Sequence, residues 1–287
     1  MDRTQLEKQF GLKFETVQDV PDSFSSTVYK CKLMNGEEVY LKIPFSKVKF
    51  DRERDAYKVL AGHVEIPKLL EVWEEDEDMP GAFLLSALPG QTLTGTPSRK
   101  LGYEVGVYHA RLHEVQPGNP PVDGIDNEFS NWRDFVDRMF YGFAEDTKEL
   151  ISPQALEQSL KKYEQMKSDL PPLDGPSFLH MDFRPANIVV QGNAVTGSID
   201  FESVRFGATE IDFTKLYRDY LQHDENVFEA YQQGYRSVRP LIDLEAVLPY
   251  YRFTDAFNSI GWCQRRGIEK NRAFLEQNQQ LLLKFLR

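Results

Sequence analysis

The chain is poor in cysteine, with only Cys31 and Cys263 among 287 residues. That excludes a disulfide framework and any zinc site built from several cysteines. Histidine is also sparse: five residues, scattered at positions 63, 109, 113, 180 and 223, argue against a poly-histidine metal centre. No apolar run approaches the roughly 20 residues needed to span a bilayer. MDRTQLEKQF, residues 1–10, lacks the apolar core of a secretory signal. These absences predict a cytoplasmic protein without a membrane partner. Basic charge is in deficit as well, 34 Lys+Arg against 45 Asp+Glu, net −11. The basic stripe expected of a nucleic-acid binder is therefore missing. The acidic excess does not select a substrate either. Residues 201–287 hold 12 acids and 12 bases, net zero, and much of the N-terminal excess is the run Glu74 to Asp78, which reads as a solvated turn.

What is present divides into two textures. SSTVYKCKL and EVYLKI, around the turn MNGE, alternate like the arms of a hairpin. DRERDAYKVLAG reads as a short helix stopped by Gly62. PKLLEVWE and GAFLLSAL read as two further strands, so the first 90 residues are expected to be strands with one helix. Pro89-Gly90 reads as a hinge. From about residue 99 the period becomes helical, with Leu101, Val105, Tyr108, Leu112 and Val115 on one stripe. Further helical stretches follow, interrupted by two short β runs, NIVV and TGSIDF. The expected fold class is α+β and bilobal: a small β-rich lobe over residues 1–88 and a larger, mostly helical lobe over 89–287, with a cleft between them.

The chemistry-bearing stretch is FLHMDFRPANIVVQGNAVTGSIDFE, residues 178–202. It holds His180-x-Asp182, Asn187 after four intervening residues, and Ile199-Asp200-Phe201 beyond a hairpin. Phosphoryl transfer needs one carboxylate to receive or orient the acceptor hydroxyl, and oxygen ligands for Mg²⁺. Asp182 suits the first task. Asn187 and Asp200 suit the second, because hard cations prefer carboxylate and amide oxygens.

This stretch resembles the H-x-D-x-x-x-x-N and I-D-F signatures of the aminoglycoside phosphotransferase and choline kinase superfamily, which shares the protein-kinase-like fold. LGYEVGVYHARLHEV, FLLSALPG and FGATEIDFTKLY resemble its Leu-His helix, its interlobe linker and the segment after its metal motif. The resemblance covers nearly the whole chain. It implies that Lys42 pairs with the ATP phosphates and that a carboxylate on the next helix, Glu53 or its rival Asp55, pairs with Lys42. It places the nucleotide-covering loop at PDSFSSTVY, where Ser25, Ser26 and Thr27 offer donors to phosphate in place of the missing glycines. Ser86 and Leu88 would meet adenine through backbone groups. Arg184 is expected to contact the transferring phosphoryl group. His180 and Asp212 are expected to brace the catalytic loop, and His113 and Trp132 to pack in the core.

The expected activity is ATP- and Mg²⁺-dependent transfer of phosphate to a hydroxyl of a small molecule. An aminoglycoside-type or other antibiotic is the leading acceptor; choline, ethanolamine, a sugar or an amino-acid-derived alcohol is the alternative. Asp255 and Trp262, with Tyr250, Tyr251, Asn258 and Arg265, are the candidate acceptor contacts on the last long helical stretches. Asp255 would join Asp182 in attracting an amine. A non-catalytic nucleotide-binding module would be expected to lose Lys42, Asp182, Asn187 or Asp200, and all four are present. A protein kinase would need a longer activation segment than the one between Asp200 and Ile211.

Overall fold

A computed structural model describes residues 1–21, 26–77, 79–94 and 97–287. Its N-terminal part is built on a five-stranded sheet. The strands are β1 (Phe14–Asp19), β2 (Ser26–Leu33), β3 (Glu38–Pro44), β4 (Leu69–Trp73) and β5 (Ala82–Ser86), in the spatial order β1-β2-β3-β5-β4. All pairings are antiparallel. β3 is central, and its Lys42 stands opposite Val28 on one side and Phe83 on the other. Helix α2 (Lys47–Leu60) follows β3 after only Phe45 and Ser46, with the Ser46 hydroxyl accepting from the Lys49 amide as its cap.

One helix more is present here than the sequence reading expected. α1 (Arg3–Phe10) opens on a capping box between Asp2 and Gln5 and closes at Gly11, φ +67°. It buries Leu6 and Phe10 against Phe14, Tyr29, Val39 and Leu41 on the outer face of the sheet.

Beyond Ser86 the chain is mostly helical: α3 (Arg99–Glu114), α4 (Trp132–Thr147), α5 (Pro153–Ser168), α6 (Phe213–Asp219), α7 (Glu225–Arg236), α8 (Leu244–Arg266) and α9 (Arg272–Leu286). Over 209–223 the helix is short: α6 is flanked by 3₁₀ turns at Thr209–Asp212 and Leu221–His223. α3 packs on α7, α4 on α8, and α8 on α9. Short strands carry the functional loops: β6 (Gln91–Thr92), β7 (Ser177–Leu179), β8 (Ile188–Gln191), β9 (Ala194–Ser198) and β10 (Arg205–Gly207). β8 lies between β6 and β9, and β7 pairs with β10.

The hinge residue Gly90 has φ +109°, and a Cβ there would sit 2.0 Å from the Val190 carbonyl oxygen of β8. Glycine is required at that close approach. The two parts are not independently cored. Phe50, Tyr57 and Phe83 belong to the same apolar cluster as Phe183 and Phe201 of the helical part. Phe50 stacks on Phe83 at 4.7 Å, and Tyr57 meets Phe201 edge-on at 5.6 Å. Burying one such aromatic contributes roughly 2–3 kcal/mol, so α2 is anchored to the helical part by packing as well as by charge.

Candidate active site

The catalytic-loop segment runs from β7 to β8. Its direction is set by Asp212, which is fully enclosed: its two carboxylate oxygens accept from the amides of Met181 (2.6 Å) and His180 (2.7 Å). Met181 has φ +63°, a left-handed conformation that costs a non-glycine residue about 1–3 kcal/mol. The two charge-assisted bonds offset that cost. Asp212 is steadied from behind by two buried histidines one turn apart on α3. The Nε2 atoms of His113 and His109 stand 3.4 and 3.6 Å from its Oδ2, while their Nδ1 atoms bond the hydroxyls of Tyr235 (2.8 Å) and Tyr231 (2.7 Å) on α7. Burial pushes the pKa of His109 down to about 3 and lowers that of His113, so both stay neutral. Burial works against the charge of Asp212, but the two histidine contacts outweigh it and lower its pKa. His113, expected only to pack, is thus part of a polar brace.

The β8–β9 hairpin turns tightly at Gly192-Asn193, with Gly192 at φ +62°. Its register sets Ile188 against Ser198, and the Ile199 amide donates to the Asn187 carbonyl at 3.0 Å. This closes the gap of eighteen positions between Asp182 and Asp200. His180 completes the link, its Nε2 donating to the Ile199 carbonyl at 3.0 Å. Asp200, the next residue, is also left-handed at φ +72°. Left-handed non-glycine residues in both motifs mark a pre-organised site rather than a relaxed loop.

Lys42 joins the two parts. Its Nζ lies 2.7 Å from Asp200 Oδ1 and 2.9 and 2.7 Å from the two oxygens of Glu53. The ammonium is 6% exposed. Burial opposes its charge, but Asp200 and then Glu53 more than offset this, and its pKa is raised. Burial also raises the pKa of Glu53, with Lys42 opposing. Asp55 does not compete: it accepts from the Gly124 amide (3.0 Å) and pairs with Lys58 (2.8 Å). The short sequence separation of Lys42 and Glu53 works because β3 runs almost directly into α2. From the same face of α2, Lys49 pairs with Glu202 at 2.8 Å and Arg52 donates to the Glu202 carbonyl at 3.3 Å.

Asp182 faces the open side. Oδ1 accepts from Lys215 Nζ at 2.6 Å; Oδ2 accepts from Asn187 Nδ2 at 2.9 Å and Arg184 Nε at 3.2 Å. Burial alone would raise the pKa of Asp182; Lys215 and Arg184 outweigh it and hold it below the usual carboxylate range. Burial likewise opposes ionisation of Asp200, and Lys42 overcomes it. Lys215, on α6 three residues beyond Asp212, was not found by the sequence reading. Its only signal was that it follows the brace residue by one helical turn.

The remaining expected site residues have the following partners. Asp255 is taken by Arg218 at 2.6 Å, so it is not an unpaired anion awaiting an amine. Trp262 is half-buried and meets Phe274 edge-on at 6.3 Å. Tyr250 and Tyr251 are core residues. Arg265 is committed to Asp146 and the Gly142 carbonyl. Ser86 turns its amide and hydroxyl to Lys68, at 2.9 and 2.8 Å, and Leu88 packs over Gly197. Ser26 and Thr27 begin β2 beside the hairpin tip; Ser25 lies outside the described residues.

Glu53, Asp200 and Glu202 bring carboxylate oxygens within 4.8 Å of one another. Glu202 Oε2 is buried without a hydrogen-bond partner. The Asn187 amide nitrogen is committed to the Asp182 carbonyl and carboxylate, both at 2.9 Å, which leaves its oxygen as the ligand end. Hard oxygen donors grouped beside a buried lysine suit a divalent cation such as Mg²⁺.

A family model described as the phosphotransferase enzyme family matches residues 16–254. A homoserine kinase of Gluconobacter oxydans (strain 621H) is 29% identical over 180 residues, 60% of this chain and 55% of that protein. The chain thus spans about half the length of that curated relative. Similar solved structures include the GDP complex of wild-type aminoglycoside 2'-phosphotransferase-IIIa, with TM-score 0.76, 15% identity and coverage of 99% of this chain and 96% of that one. Spectinomycin phosphotransferase in complex with ADP and spectinomycin gives TM-score 0.69 at 14% identity, covering 100% and 98%. A macrolide 2'-phosphotransferase from Brachybacterium faecium gives 0.67 at 17%, covering 96% and 94%. At such identities these neighbours speak to the fold, which is the bilobal α+β kinase-like fold. With the family match extending over most of the sequence, the chain belongs to the phosphotransferase enzyme family.

Proposed function

We propose that the protein is an ATP- and Mg²⁺-dependent kinase that transfers the γ-phosphate to a hydroxyl of a small molecule. The observation that carries this reading is the meeting of Lys42, Glu53 and Asp200 at one ammonium, with Asp182 and Asn187 on the adjoining loop. Lys42 would bind triphosphate oxygens, with Glu53 holding its aim. Asn187 and Asp200 would hold Mg²⁺, which when bound neutralises charge on the triphosphate. Asp182 would orient the acceptor hydroxyl and receive its proton as the new oxygen–phosphorus bond forms. The bond from the γ-phosphorus to the bridging oxygen breaks and ADP leaves. Ser26 and Thr27, at the hairpin beside the cleft, are proposed to cover the phosphates, and the linker at Ser86 to Leu88 to meet adenine through main-chain groups. Residues 1–88 and 89–287 would act as the nucleotide lobe and the acceptor lobe.

Two acceptor classes have support. The neighbours named for aminoglycosides, spectinomycin and macrolides favour an antibiotic. The homoserine kinase relative favours a metabolite alcohol. With Asp255 bound to Arg218 and Asp182 bound to two cations, the charge pattern favours the metabolite. The test is an ADP-release screen over antibiotics and hydroxyl metabolites with Asp182→Asn as blank. Acceptor-dependent release by the wild type alone supports the reading; equal release by both proteins rejects Asp182 as the essential base.

A further inference from the structure

Around Asp182 the charges do not suit a polyamine. Lys215 and Arg184 bind the two oxygens of the base candidate, and their side chains are 33% and 39% exposed. Among the described residues neither has a second carboxylate partner. At these contacts one carboxylate faces two cations, and the neighbouring Asp200 is already paired with Lys42 at 2.7 Å. The next turn of α6 does not reverse this with a free anion, because Arg218 holds both Asp255 and Asp219, each at 2.6 Å.

A second count points the same way. An ionised carboxylate offers about four acceptor positions. Three on Asp182 are filled by Lys215, Asn187 and Arg184. One is left for an acceptor hydroxyl. A hydroxyl bound there lies within reach of the Lys215 ammonium and of the guanidinium nitrogens that Arg184 does not spend on Asp182. A neutral neighbour of that hydroxyl would leave these cations under-used. A cationic one would meet like charge in a partly desolvated site.

We infer that the acceptor is a hydroxyl compound carrying an anionic group beside the hydroxyl, a carboxylate or a phosphate, gripped by Lys215 and Arg184. This rests on the kinase reading above and narrows it. It also gives Lys215 a role in substrate choice: it holds Asp182 in place and selects the acceptor by charge. Arg184 presents a planar fork suited to either anion, so the two anions are separated by experiment.

The test uses the full chain with Mg·ATP and three size-matched acceptor sets: hydroxy-carboxylates, hydroxyl-bearing phosphomonoesters, and neutral or amine-bearing alcohols including aminoglycosides. Turnover concentrated in the first or second set is expected, and which set responds identifies the anion. In Lys215→Met, KM for the anionic acceptor should rise by about 30-fold or more, the size expected for removing one partner of a desolvated charge pair. KM for ATP should change by less than about 2-fold, and Lys215→Arg should recover much of the loss. Preference for amine-bearing acceptors would overturn the inference. So would a Lys215→Met loss that falls equally on ATP and on every acceptor, which would assign Lys215 to the phosphoryl group instead. Thermal stabilisation by Mg·ADP, measured in parallel, separates the two levels. Stabilisation without any anionic acceptor turnover sinks the acceptor inference alone; no stabilisation and no turnover sinks the kinase reading as well.

Discussion

On the side proposed to hold the nucleotide, Lys42 is almost sealed from water, and its two carboxylate partners come from α2 and from the loop after β9. On the side proposed to take the acceptor, Asp182 meets two cations that are each about one-third open to solvent. The first arrangement is costly to break, since removing one partner of a buried ion pair costs about 3–5 kcal/mol. The second is cheap to rearrange, because half-exposed pairs contribute about 1 kcal/mol or less. A site that must hold one constant nucleotide and admit one variable acceptor is well served by that division. The sealed triad would stay in position, and the more open one would exchange partners if an acceptor binds as proposed.

The comparison can be broken most severely at Asp200. Replacing it with alanine removes the proposed cation ligand and one partner of Lys42, and turnover should fall on the order of 10³- to 10⁴-fold. Stabilisation by Mg·ADP should disappear in a thermal-shift assay. Asp182→Asn should lower kcat on the order of 10²- to 10³-fold while Mg·ADP still stabilises the protein. Unequal nucleotide binding by these two variants is the signature of two distinct sides. Glu53→Ala tests the cost of the sealed side directly. It should lose about 3 kcal/mol of stability in denaturant titration, whereas Arg184→Ala should change stability by less than about 1 kcal/mol.

The smallest effects lie beneath the cleft and are read through pH. Glu210 is buried, and burial pushes its pKa up to about 7. Its protonated form is favoured in the fold, so its contribution is present below its ordinary pKa of 4.5 and is lost as pH rises through 7. Glu210→Gln should therefore raise the melting temperature at pH 8 by about 4 °C relative to wild type and change little at pH 5. His109 acts on the other limb. Its lowered pKa means that the unfolded chain takes up the proton first, so stability falls as pH drops below 6.5 towards about 3. His109→Gln should flatten that acid limb in melts recorded between pH 7 and 4.

Much of the site was legible in the sequence because its parts are local. Asp182 and Asn187 share one loop, Asp200 is returned by a two-residue hairpin turn, and Lys42 is joined to Glu53 by a strand that runs straight into a helix. Short-range geometry of this kind leaves a spacing that can be read. The caps of α1 were also present, Asp2 and Gln5 at its start and Gly11 at its end, but eight residues give too little periodicity to stand out beside strong strands. Lys215 and Asp255 were different cases. Each is a single charge on a helix, and its meaning depends on a partner 33 or 37 positions away. No spacing rule reports such a pairing. The same limit explains Tyr250 and Tyr251, whose helical phase was visible while the face that meets the core was not.

In the proposed reading, groups from both parts of the molecule converge on one Mg-bound nucleotide. It is tested most directly by titrating ADP, with and without Mg²⁺, into the wild type, Lys42→Met and Asp200→Asn in a calorimeter. The account predicts tight binding only for the wild type with Mg²⁺, and at least about tenfold weakening when either residue is changed or the cation is withheld. Equal affinity in all three proteins, indifferent to Mg²⁺, would contradict it.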